Sequence, residues 1–348
     1  MEYDFLSFYS IFKFFLLLRS IDANSLRIQL PQTSIDSGRG QRRSDRIYEF
    51  DHVFGEASTQ QTIFTEMQGL ITSVLDGYSA CIFAYGQTGS GKTYTMEGNV
   101  DDPIDKGVIP RTLESLHNEM NLRSSTEFTT TISMIEIYND KIFDLLGNNL
   151  PVEARQNAEG EIILPTAVVQ TVHSVKEMMT VLHQGDQARH VASTASNEHS
   201  SRSHMLFMLT VKGVDRASGQ NSEGRLVLVD LAGSERIAKT ESTGQRLTEG
   251  QFINKSLSSL GDVIHALSNK HKHIPFRNSM LTFVLKDILK EGNKVLMITQ
   301  LSPAESNLQE SLQSLEFANR VNKVLLGKSS ENKTHPMIAK LTDQVGRI

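Results

Sequence analysis

The chain has a single cysteine, Cys81, and no second thiol to pair with it. An intrachain disulfide is therefore excluded, and a reducing compartment such as the cytoplasm is the natural fit. Cys81 lies in an apolar run and reads as a small buried side chain rather than a reactive one. A membrane span is also missing, since it would need about 18 to 20 consecutive apolar residues. The nearest candidate, Phe5 to Leu18, is broken by Lys13, and no small-residue cleavage site follows it. It is expected to enter the fold as a buried strand, which leaves no membrane partner. No repeat, low-complexity tract or heptad run is found, which excludes a solenoid and a coiled coil. Positive charge is not in excess either. The net charge of -5 argues against bulk nucleic-acid binding but leaves room for a local basic patch.

What remains is an ordinary globular composition, 39% hydrophobic and 22% charged over 348 residues. That length suffices for one large domain or two ordinary ones. Short apolar runs at 79–85, 128–138, 204–211, 225–229 and 295–301 read as strands. Between them, Ile253, Leu257, Leu260, Ile264 and Leu267 form one helical stripe. Leu308, Leu312, Leu315, Val321 and Leu325 suggest a last helix after the turn at Ser302-Pro303. Strands alternating with helices predict an α/β fold, a central, mostly parallel β-sheet with helices on both faces. Residues 1–11 are set apart as an apolar leader, 12–326 as the domain, and 327–348 as a polar, partly disordered tail.

Three segments carry chemistry. The first, Gly86-Gln87-Thr88-Gly89-Ser90-Gly91-Lys92-Thr93, follows an apolar strand and opens a helix. This is the context of a P-loop: glycines let backbone N–H groups wrap a β-phosphate, and the helix start favours the anion. Lys92 supplies a mobile cation for the β- and γ-phosphates, and the Thr93 hydroxyl is placed to ligate Mg²⁺. Tyr94 follows, and its ring either stacks on a base or packs on the sheet. The second segment is Asn197-Glu198-His199-Ser200-Ser201-Arg202-Ser203-His204. Ser200 and Ser201 offer hydroxyls for Mg²⁺ and an attacking water. The third is Asp230-Leu231-Ala232-Gly233-Ser234-Glu235. Asp230 ends a strand, as an acid holding the Mg²⁺ water shell would. Gly233 permits a backbone N–H near the γ-phosphate. Arg202 and Glu235 have opposite charge in separate segments, so a bidentate salt bridge between them is expected to latch the site. Singly, the second and third segments are polar loops of a common kind; in fixed order behind a cradle they describe a nucleotide switch.

In wording and order these segments resemble the P-loop, switch I and switch II of the kinesin motor domain. Tyr48 to Phe54, Ile253 to Leu257, Ile274 to Ser279 and Ser314 to Ala318 match further family motifs, and the similarity spans about Phe12 to Val324. The resemblance implies a microtubule-stimulated ATPase with ATP and Mg²⁺ as ligands. Catalytic roles would fall to Ser200, Ser201, Arg202, Gly233 and Glu235. Metal-binding roles would fall to Thr93, Ser201 and Asp230. Glu235 would also help relay a proton from the attacking water. Arg19 would border the adenine. A helix from about Thr248 to Leu267 would lie on tubulin, and Lys270, Lys272, Arg277, Lys286 and Lys290 would form a basic surface beside it. Residues 256–267 look most like the kinesin-14 group of C-terminal motors, which implies minus-end-directed movement in a full-length form, with spindle microtubules as one track.

Departures fall at Leu17 and Ser20, where the family has arginine and proline, at Met280 in place of a lysine, and at Thr248. No coiled-coil neck is expected before the first strand, so a partner subunit would need an element this chain lacks. The main alternative is therefore a catalytically weak microtubule-binding subunit partnered with an active motor. A guanine-specific switch is disfavoured, because no Asn-Lys-x-Asp segment occurs.

Overall fold

A computed structural model describes residues 7–12, 18–20, 22–29, 45–100, 102–193, 200–235, 245–290, 292–322, 324 and 333–334. The chain opens with β1 (Ser7–Phe12) and then a small antiparallel sheet of β2 (Leu18–Ser20), β3 (Ser25–Gln29) and β4 (Asp45–Glu49). Next come β5 (His52–Phe54), α1 (Gln60–Leu75), β6 (Ser79–Tyr85), α2 (Lys92–Met96) and α3 (Val108–Leu122). A run of strands follows: β7 (Thr126–Tyr138), β8 (Lys141–Asp144), β9 (Leu150–Val152), β10 (Arg155–Gln156), β11 (Ile162–Ile163) and β12 (Gln170–Val172). After α4 (Val175–Ser193) come β13 (His204–Asp215), β14 (Asn221–Asp230) and α5 (Gln245–Ser268). The chain continues through α6 (Met280–Val284), β15 (Lys294–Leu301), α7 (Leu308–Val321) and β16 (Lys333–Thr334).

The main sheet runs β5-β1-β15-β6-β14-β13-β7-β8-β9, with β12 on β7 and β16 on β14. It is mixed, which refines the expectation of a mostly parallel sheet. The ladders from β5 to β14 are parallel. From β14 to β9 they are antiparallel. The cause is local turn chemistry. Asn139 and Asp140 both adopt positive φ (51° and 58°), the two-residue turn that joins β7 to β8 without a crossover helix. Residues 216–220 likewise turn β13 straight back into β14.

Both faces of the sheet are covered, as expected. Along β6, Ala80, Ile82 and Ala84 face one core, with Met67 and Ile71 of α1, Leu113 of α3 and Leu182 of α4. Cys81, Phe83 and Tyr85 face the other, with Leu260 and Val263 of α5, Leu281 of α6 and Leu315 of α7. Cys81 is fully buried. The period-2 alternation of the strand decides which side chain joins which core. Thr59 caps α1 by accepting the Thr62 N–H at 3.1 Å, and Ser279 with Thr282 forms a capping box on α6.

The amino-terminal stretch differs from the sequence reading. The strand matched there at 12–20 contributes only Phe12 to the main sheet; Ser7 to Phe12 pair with β15, so part of the segment read as a leader lies in the sheet. Residues 13–17, including Leu17, lie outside the described residues. So do 38–44 and most of the tail, where Lys333 and Thr334 pair with Ser222 and Asn221.

Candidate nucleotide site

Topology brings the three segments to one sheet edge. β6 and β14 are parallel, so Tyr85 and Asp230 end on the same side. β13 is antiparallel to β14 and pairs Met205 with Asp230, so it begins where β14 ends. Ligands of open α/β sheets sit outside the carboxyl ends of the parallel strands.

The cradle from Gly86 to Thr93 has the expected backbone. Gly86, Gly89 and Gly91 have φ of 156°, 76° and 103°. A Cβ on Gly86 would run into the carbonyl of Gln300 in β15, so only glycine fits there. Gly91 precedes the first residue of α2. Within the loop, the Ser90 hydroxyl donates to the Gln87 carbonyl (2.8 Å). Lys92 is buried, and its ammonium donates to the carbonyls of Gly86 (2.9 Å) and Gln87 (3.0 Å). Burial holds its pKa below the ordinary value, while Asp230 and Glu235 pull the other way.

The Thr93 hydroxyl donates to Asp230 Oδ2 at 2.7 Å. Asp230 is almost fully buried, and its Oδ1 has no hydrogen-bond partner among the described residues. A buried carboxylate oxygen without a donor, beside a threonine hydroxyl and below a glycine cradle, fits the water shell of a phosphate-bound Mg²⁺. The residues present therefore suit the implied metal.

Switch II folds back on the cradle. The Ser234 N–H donates to Gly86 O (3.1 Å), and the Gly233 N–H donates to Ser201 O (2.8 Å), which joins the two switch segments. The expected latch is paired differently. Both oxygens of Glu235 are taken by Thr88, one by its N–H (2.8 Å) and one by its hydroxyl (2.6 Å). Arg202 donates to Glu249 of α5 at 2.7 Å. The physical reason is donor supply: Thr88 offers two donors in one place, and Glu249 offers Arg202 a buried carboxylate.

Of the other expected residues, Ser200 and Arg202 lie in a short 3-10 turn with Ser201 between them. Tyr94 exposes 47% of its surface, and its hydroxyl donates to Asp105 (3.0 Å). Arg19 lies in β2 opposite Arg27. Asn197, Glu198 and His199 lie outside the described residues. On the expected basic surface, Lys270, Lys272 and Lys290 are exposed. Arg277 reaches Gln156 (3.2 Å), and Lys286 donates to the Gly160 carbonyl (3.0 Å), a structural tie. Thr248 is exposed on α5. Met280 is half-buried with its N–H held by Asp140 (2.7 Å).

Arg189 of α4 was not marked by any motif. It is buried and contacts Asp230 (3.3 Å), Glu97 (3.2 Å) and Glu136 (3.7 Å), and donates to the Ser200 carbonyl (3.2 Å). Burial alone would lower its pKa; Asp230, Glu97 and Glu136 outweigh that and keep it charged. Its only sequence signal is an arginine among apolar helix positions. His204 closes the second segment. Its Nδ1 accepts the Ala232 N–H (3.0 Å), so Nε2 carries the proton and donates to Ser256 of α5 (2.7 Å).

The kinesin motor domain family profile matches residues 19–324. The chain belongs to the kinesin motor family. Among curated relatives this kinesin is 49% identical over 290 residues to kinesin-like protein KIN-14S of Arabidopsis thaliana, covering 82% of this chain and 38% of that protein. It is 47% identical over 299 residues to KIN-14R of Oryza sativa subsp. japonica, covering 84% and 30%. The kinesin chain thus spans between about three-tenths and two-fifths of these relatives' length, and it matches the kinesin-14 group closely. Its fold superposes on a fast kinesin with a TM-score of 0.85 at 32% identity, covering 96% of this chain and 95% of that one. For the motor domain of the Kar3-like kinesin from Ashbya gossypii the TM-score is 0.76 at 36% identity, covering 91% and 99%.

Proposed function

We propose that this kinesin domain hydrolyses Mg-ATP, that microtubules accelerate the reaction, and that the energy drives movement along them, toward the minus end in a full-length form. The observation that carries the reading is the convergence of Lys92, Thr93 and Asp230, with the unpartnered Asp230 Oδ1, at the edge where both switch segments meet. The kinesin-14 relatives support it.

The bound Mg²⁺ would neutralise charge on the β- and γ-phosphates. Thr93, Ser201 and Asp230 would hold it, Asp230 through its water shell. Lys92 would release the loop carbonyls and turn to the phosphates. The backbone donors of the glycine cradle would fix the β-phosphate without reorganisation at the moment of reaction. The Gly233 N–H would approach the γ-phosphate, Ser200 would orient the attacking water, and Glu235 would help carry its proton away. Arg189 ties Asp230 to the Ser200 carbonyl, so the metal side and switch I share one support.

On this reading the partner is tubulin, met by α5 and the loop that follows it, and the protein works on cytoplasmic microtubules, those of the spindle included. Among the described residues no helix is long and apolar enough to cross a membrane. Co-pelleting tests the partner: the domain is expected to sediment with microtubules in a non-hydrolysable ATP analogue and to release in ATP. Equal sedimentation with and without microtubules contradicts the proposal.

A further inference from the structure

The two residues of the expected latch are not merely apart; each is held by another partner. Glu235 has one oxygen on the Thr88 N–H (2.8 Å) and the other on the Thr88 hydroxyl (2.6 Å). Arg202 is held by Glu249 Oε2 (2.7 Å), and the other oxygen of Glu249 accepts from the Tyr138 hydroxyl (2.7 Å). Glu249 exposes only 6% of its side chain and Arg202 13%, so their attraction is little screened by solvent. Meanwhile the backbones of the two switch segments already meet at Gly233 N and Ser201 O, two residues from Glu235 and one from Arg202. The missing part of the latch is a choice of partner.

We propose that Glu249 is a positioning residue that withholds Arg202 from Glu235, so that displacement of α5 releases the arginine and lets the catalytic pair form. The inference rests on the proposed function, in which α5 lies on tubulin, and on the pairing of Arg202 with Glu235 expected from the sequence as the state in which hydrolysis occurs.

Three features make Glu249 suited to this. It sits in the first turns of α5, the helix expected to feel the filament, while its partner belongs to switch I. Its second partner, Tyr138, ends β7 at the same sheet edge as His204, because β7 pairs Ile137 with His204. The rigid sheet thus fixes one side of the carboxylate and the helix carries the other. Tyr138 remains a neutral donor, its pKa pushed up to about 12 by burial and then by the hydrogen bond to Glu249. A helix shift relative to the sheet would strain the Tyr138–Glu249–Arg202 chain. Arg202 could then exchange one carboxylate for another without being left buried and unpaired, an outcome that would be costly.

The test measures ATP turnover of the whole chain without and with microtubules. Glu249→Gln keeps the shape and a contact for Tyr138 but removes the charge that competes for Arg202. Its filament-free rate is expected to rise by about tenfold, the scale of one charge-assisted hydrogen bond. The microtubule-saturated rate should stay near that of the parent, so the stimulation ratio falls by the same factor. Tyr138→Phe, which cannot unfold the site by leaving a buried charge, should shift the filament-free rate in the same direction by less. The Glu249→Gln, Glu235→Ala double variant should return to background, since the gain runs through Glu235, a readout that simple loosening of the fold would not give. A filament-free rate unchanged in both single variants overturns the proposal, as does a gain that survives Glu235→Ala. Failure of the underlying reading is seen separately, as absence of microtubule stimulation in the parent chain.

Discussion

Both terminal nitrogens of Arg189 lie against a single oxygen of Asp230, at 3.3 and 3.4 Å, while the Thr93 hydroxyl donates to the same oxygen. One carboxylate oxygen thus collects the P-loop, helix α4 and the end of β14, and the other is without a donor among the described residues. Among the described residues Arg189 and Lys92 are the cations at this cluster, and Asp230, Glu97 and Glu136 all contact Arg189. Arg189→Ala should cost about 3–5 kcal/mol of folding stability, the usual penalty for stranding buried charge. Urea unfolding checks this, and a loss below about 1 kcal/mol would mean the cluster relaxes into solvent.

Glu97 gives the same cluster a pH dependence. Burial pushes its pKa up to about 8 from 4.5; Arg189 opposes the rise, and Asp186 and Asp230 add to it. The folded state therefore keeps a proton that the unfolded chain gives up. Its contribution to stability is fully present below pH 4.5 and is lost as pH rises through about 8. Glu97→Gln should remove that slope, so the parent loses stability relative to the variant across this window. Parallel stability curves would contradict the assignment.

His204 should not titrate in the ordinary range. Burial, with Lys92 and Arg189 nearby, pushes its pKa down to about 3. The ring links the Ala232 N–H to Ser256, whose hydroxyl passes the chain on to Ile253 O (2.8 Å). Nitrogen-detected NMR should show the neutral Nε2–H tautomer from about pH 8 to about pH 5, the interval in which an ordinary histidine, with a pKa of about 6.5, gains its proton. A ring that gains a proton in that interval would break the proposed hydrogen-bond order.

Met280 offers a test of the tubulin contact. Asp140 holds its N–H and also pairs with Lys255 of α5 (2.7 Å), so the backbone is fixed whatever side chain stands there. Met280→Lys should lower the microtubule concentration for half-maximal stimulation and make it more sensitive to salt. An unchanged half-maximal concentration would place residue 280 away from the filament.

Much of the molecule was legible beforehand because strands and cradles announce themselves locally. Ser79–Tyr85 is a continuous apolar run, and it is β6 to the residue. Gly86, Gly89 and Gly91 stand where positive φ is needed. The hidden parts are those decided by pairing across the sheet. Nothing in the neighbourhood of Arg202 points to Glu249, 47 residues away, and nothing near Asp230 points to Arg189. Opposite charge suggested Arg202 and Glu235, but several carboxylates compete for one arginine, and register and burial select among them. The antiparallel half of the sheet was hidden for a related reason. Two short turns, at Asn139-Asp140 and at 216–220, reverse direction where alternating strands and helices suggested crossovers.

The most direct test of the proposed function is ATP turnover measured in four conditions: the parent chain and Lys92→Ala, each without and with microtubules. The parent should be accelerated by the filament, and Lys92→Ala should remain at background in both cases, because the ammonium that would turn from the loop carbonyls to the phosphates is gone. Equal, near-background turnover in all four conditions would contradict a filament-driven ATPase at this site.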